Sequence, residues 1–154
     1  MINWNNYPKD SRFIFLSNSG ITEFNWEGCP SGLKIIVLSD NQLTQFNWEN
    51  CPPGLEEIQL NGNQISHFNW KCAPSGLNEI SLSSNRLTQF DFENCPLGLK
   101  KIRLGNNQLT RLDWKNVPHS LKVIELFSNR ITEFNWDLAP PGLKEIWMSG
   151  NQIL

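Results

Sequence analysis

The chain has 154 residues, enough for one domain, and carries a formal net charge of −2 with four cysteines. That charge supplies no field strong enough to hold nucleic acid or an anionic membrane surface. No apolar run approaches the roughly 20 residues of a membrane span, and Met1-Ile2-Asn3-Trp4 has neither the charged nor the apolar region of a secretory leader.

Along the chain a 22-residue pattern repeats without slipping. Residues 1–10 read as the tail of one unit. Full units follow at 11–32, 33–54, 55–76, 77–98, 99–120 and 121–142, the first being the most divergent, and 143–154 reads as the head of another. A fixed period in this range predicts a solenoid, in which each coil touches only its neighbours. One such unit cannot bury its apolar face alone, but about seven stacked strands share a continuous core. The expectation is therefore a single repeat domain over 1–154.

Each unit opens on Leu-x-x-Ile-x-Leu, as in Leu55, Ile58 and Leu60. The alternation of inward Ile58 and Leu60 with outward Glu57 and Gln59 predicts a short strand with one buried face. Equivalent strands are expected to pair in parallel. After the strand comes an asparagine at a fixed place: Asn41, Asn63, Asn85, Asn107, Asn129 and Asn151, with Ser19 in the first full unit. An inward Asn both donates and accepts, so it can satisfy turn backbone that would otherwise be buried unpaired. The column predicts a ladder that weakens at Ser19.

Two aromatic columns follow. One is Phe24, Phe46, Phe68, Phe90, Leu112 and Phe134. The other is Trp4, Trp26, Trp48, Trp70, Phe92, Trp114 and Trp136. Large rings recurring at one register are expected in the core or at its margin. Between them runs a column of Asn with Asp91 and Asp113, read as acceptors for backbone N–H groups rather than as a cation site. Units close on Pro-x-Gly, as at Pro52 and Gly54, which sets the reversal into the next strand. Too few residues remain for a full helix, so the back of the solenoid is expected to be extended segments and 3-10 turns. Cys29, Cys51 and Cys95 share a slot with alanine and valine, which predicts buried free thiols; Cys72 lies one position earlier and is the expected exposed thiol.

The recurring Leu-x-x-Ile-x-Leu-x-x-Asn-x-Leu-Thr resembles the leucine-rich repeat over essentially the whole chain. The resemblance implies a curved horseshoe solenoid with a parallel concave sheet, and protein partners bound through the exposed residues of that sheet. The short unit and its proline are similar to compact bacterial-type repeats, with Phe-Asn-Trp here in place of Leu-Pro.

No residues are arranged for catalysis. His67 and His119 occupy different repeat positions, no Ser–His or Cys–His triad is suggested, and no glycine-rich phosphate loop occurs. No enzyme, cofactor or metal is expected.

The outward strand positions are the ones folding constrains least. Phe13, Phe15, Ile35 and Val37 form an apolar group on the first two strands. Acidic Glu56, Glu57 and Glu79 precede basic Lys100, Lys101 and Arg103, and Val123, Phe127 and Trp147 lie near the last strands. Trp147 is the only Trp outside the core column. The candidate partner-binding residues are therefore Phe13, Phe15, Ile35, Val37, Lys100, Lys101, Arg103, Phe127 and Trp147. The expected function is non-catalytic binding of a partner protein, with no nucleic acid and no membrane. The alternative is homo-oligomerisation through the ends or the apolar strand faces. The expected setting is cytoplasmic, or the host cytosol for a secreted effector or viral protein.

Overall fold

The structure is a computed structural model that describes residues 1–153; of the final partial unit, Leu154 lies outside the described residues. Seven strands form one parallel sheet in chain order: β1 Phe13–Phe15, β2 Ile35–Val37, β3 Glu57–Gln59, β4 Glu79–Ser81, β5 Lys101–Arg103, β6 Val123–Glu125 and β7 Glu145–Trp147. The register advances by one repeat at each step, so Ile14, Ile36, Ile58, Ile80, Ile102, Ile124 and Ile146 align across the sheet. The remaining regular structure among the described residues is two 3-10 turns, Trp4–Asn6 and Trp136–Leu138.

The asparagine ladder is built as the column suggested. Asn85 Nδ2 donates to Leu82 O in its own coil and to Leu60 O in the coil before, each at 3.0 Å, while its Oδ1 accepts from Ile65 N at 3.0 Å. Asn63, Asn107 and Asn129 repeat this arrangement. Each buried Asn thus stitches two coils together through backbone that has no strand partner. In the first full unit the ladder ends: the exposed Ser19 hydroxyl donates only to Ser17 O, while its backbone N–H donates to Oδ1 of the next rung, Asn41. Beyond the turn a second row of backbone bonds joins the coils, for example Gln64 N to Leu43 O and Arg86 N to Ile65 O, both 2.8 Å.

The Trp column supplies the other wall of the core. Trp26, Trp48 and Trp70 are almost fully buried. Each indole N–H donates across to the backbone of the next coil: Trp26 to Asn47 O, Trp48 to Asn69 O and Trp70 to Asp91 O, at 3.0–3.1 Å. A ring that buries a large apolar area while its one donor is satisfied suits this site better than phenylalanine, which fills the same place at Phe92 without that bond. Asp91 and Asp113 accept from Glu93 N and Lys115 N at 2.9 Å, as their Asn counterparts do.

Trp136 departs from the expectation for its column: it is 56% exposed. No described coil stacks on its outer side, and its turn is also different. In the five preceding coils the second residue after the aromatic has positive φ: Gly28, Asn50, Cys72, Asn94 and Asn116. Leu138 takes that place in the last full coil. Leucine is costly in the left-handed region, and the segment winds into a 3-10 turn, as Trp4–Asn6 does at the other end of the solenoid.

Burial of the cysteine column raises its thiols. Cys29, Cys51 and Cys95 are each pushed up to about 12 by desolvation, with Cys29 adding to the rise at Cys51. All four cysteines are free and Cys72 is exposed. A thiol-specific reagent at pH 8 is accordingly expected to modify one cysteine per native chain, at Cys72, and all four after denaturation. Rapid modification of Cys51 in the native protein would contradict the buried column.

Candidate functional site: the concave sheet face

The strands are only three residues long, so each coil presents two outward side chains from its strand and one from the residue before it. Parallel register stacks these into columns about 4.8 Å per step. Phe13 faces Ile35 and Phe15 faces Val37 across the β1–β2 pair. Phe13 and Phe15 are 57% and 70% exposed, and Ile35 and Val37 are half-buried. The four apolar candidates therefore form one patch.

The charged middle of the sheet is internally paired. Arg103 lies between two carboxylates, with Nη1 2.8 Å from Glu79 Oε1 and Nε 3.5 Å from Glu125 Oε2. Gln59 Nε2 donates to Glu57 Oε1 at 2.7 Å, and Lys34 lies 3.7 Å from Glu56. Arg103 is thus engaged on both sides, whereas Lys100 and Lys101 pair with no carboxylate among the described residues. Ser81, which the alternation places outward, is only 2% exposed. It is the smallest side chain of its column and sits in register between Gln59 and Arg103.

At the far end Trp147 is 52% exposed, its indole N–H donating to Glu145 Oε2 at 3.2 Å. Phe127 is half-buried because its ring leans over the preceding coil at Gly105, where any side chain would collide with it. The partnership was readable in the column Ser17, Ser39, Asn61, Ser83, Gly105, Phe127 and Ser149, where the one glycine precedes the one aromatic. The two apolar regions, on β1–β2 and β6–β7, are separated by about 19 Å of polar sheet.

Outside the sheet, periodicity gave no warning of Leu97, 81% exposed on an outer turn. Among the described residues no group of three metal-ligating side chains occurs, and no helix is long and apolar enough to cross a membrane.

No family profile matches the chain, and no match was found among curated proteins. Solved structures do match it. The leucine-rich repeat domain of APL1B superposes with a TM-score of 0.74 at 21% identity, over 99% of this chain and 52% of that one. The functional domain of InlJ from Listeria monocytogenes, which includes a cysteine ladder, gives 0.71 at 21% identity over 86% of this chain and 28% of its own. A chain of the Drosophila Toll–Spatzle complex gives 0.80 at 19% identity over 93% and 22%. The architecture is therefore the leucine-rich-repeat fold, a solenoid with a parallel concave sheet and almost no helix. The chain spans about half or less of the length of these structures.

Proposed function

We propose that this chain is a non-catalytic protein-interaction module that binds a partner protein through the concave sheet. The observation that carries this reading is the exposure of Phe13, Phe15 and Trp147 at positions the fold leaves free. Large aromatic side chains in such places act as interface anchors. The Toll–Spatzle complex supports the reading by likeness of fold alone.

The direct test places a photo-crosslinking side chain at Gln59 on the sheet or at Thr88 on an exposed flank, in the presence of native lysate. Crosslinking is expected from position 59 and not from 88, and W147A and K101E are expected to reduce it while leaving circular dichroism unchanged. Equal crosslinking from both positions would overturn the concave-face reading. Arg103 is a poorer test site, because R103E would set three carboxylates together and cost about 1–2 kcal/mol of stability.

A second reading, association of two copies through the β1–β2 patch, is favoured by the juxtaposition of Phe13, Phe15, Ile35 and Val37. It requires an F15S-sensitive dimer in light scattering; a monomer at millimolar concentration removes it.

A further inference from the structure

The charges on the concave face are unevenly satisfied. Its carboxylates are all engaged within the sheet: Glu56 by Lys34, Glu57 by Gln59, Glu79 and Glu125 by Arg103, and Glu145 by the Trp147 indole. Its lysines, Lys34 excepted, are not. Lys100, Lys122 and Lys144 occupy successive rungs of the column just before the strands, with Lys101 beside them, and none pairs with a carboxylate among the described residues. These four residues share strands β5–β7 and the positions just before them with Val123 and Trp147; Val123 stands in register between Lys101 and Glu145, and the Lys122 ammonium lies over the turn at Gly142.

We infer that the β5–β7 end of the concave face binds an acidic, extended segment of a partner protein, its carboxylates meeting Lys100, Lys101, Lys122 and Lys144 and an apolar side chain resting on Trp147. This rests on the concave-face reading above and specifies the chemistry of the partner. Complementary charge sets orientation and encounter rate, while the aromatic supplies the buried anchor. An apolar partner alone would leave four cations facing it unpaired, which is costly when water is removed.

A protein segment fits better than a polyanion. Glu125 and Glu145 are interleaved with the lysines and would repel a continuous phosphodiester backbone. The chain's net charge of −2 adds no long-range attraction. The inward curve of the sheet also keeps the lysines from lying together on a flat bilayer. An extended segment reaches across the site easily, since the two steps from β5 to β7 cover about 10 Å, the length of roughly three extended residues.

The test uses fluorescein-labelled nonapeptides of alternating glutamate and leucine, with glutamine–leucine and lysine–leucine versions as comparisons, read by fluorescence anisotropy with the whole chain. The glutamate peptide is expected to bind. Its affinity should fall about tenfold in K122E/K144E and on raising the salt from about 0.05 to 0.3 M. K71E, on an outer turn, should leave it unchanged, and circular dichroism confirms that each variant is folded. The inference is overturned if the glutamine peptide binds equally well, if K122E/K144E binds the glutamate peptide normally, or if the glutamate peptide fails to bind the folded chain. It is also overturned if single-stranded DNA or anionic vesicles displace that peptide more effectively than its unlabelled form. Trp147-dependent binding of the lysine peptide would overturn the acidic-segment inference while leaving concave-face binding standing; loss of the position-59 crosslink would strike the latter instead.

Discussion

W70A is expected to lower the unfolding free energy by about 3–5 kcal/mol, the range for truncating a buried aromatic to alanine. Trp70 is 1% exposed and stacks on Trp48 with ring centroids 6.3 Å apart. It also meets Phe68 edge-on at 4.9 Å and Phe90 at 6.0 Å. Removing the ring opens a cavity between two coils and leaves Asp91 O without the indole donor. Small domains hold only about 5–15 kcal/mol in total, so such a loss is a large share of the whole. Because coils touch only their neighbours, the damage should also be local. Amide exchange is expected to quicken around residues 60–100 before it does at β1 or β6. W70F should cost less than half as much, since Phe92 shows that the slot accepts phenylalanine. An unfolding free energy for W70A, from urea denaturation, within about 1 kcal/mol of wild type would contradict the role given to this column.

The asparagine ladder gives a second large effect with an informative sign. N85A removes the acceptor of the buried Ile65 N–H and one donor each from Leu60 O and Leu82 O. Both carbonyls keep a neighbouring rung, Asn63 and Asn107 respectively. The orphaned amide dominates, and a loss of about 2–4 kcal/mol is expected. N85D preserves shape and the acceptor oxygen, yet near neutral pH it turns a second oxygen toward two carbonyls that had received N–H groups. It is therefore expected to be worse than N85A despite being nearly isosteric. Chemical denaturation of both variants decides the matter; N85D behaving like wild type would show that the donors contribute little.

Much of this architecture was legible because a single column repeats the same physical demand. Ile58 between Glu57 and Gln59 places a strand, and its recurrence every 22 residues places the neighbours and their register. Asn63 could be read as a turn staple because no apolar column would otherwise carry a uniform amide. What escaped was whatever depends on a different residue one coil away. The indole N–H of Trp70 meets Asp91 O only after two coils are set side by side. Ser81 is outward by alternation but hidden by its place between longer side chains. Trp136 belongs to a buried column, yet its turn differs from those of the five preceding coils and no described coil covers the ring. The candidate surface was legible as a subtraction, since Phe13, Phe15 and Trp147 stand where the repeat demands nothing. The commitment of Arg103 to Glu79 and Glu125 appeared only with side chains in place.

The lean of Phe127 over Gly105 limits how the coils can be exchanged. The period invites the view that any 22 residues could be excised or duplicated with the rest closing up unchanged. Deleting residues 84–105 would keep the period and every inward column, but would bring Phe127 beside Ser83 in place of the bare backbone it now overhangs. Coils 99–120 and 121–142 therefore fit best as a pair, and separating them obliges the Phe127 ring to rotate away from the side chain it would meet.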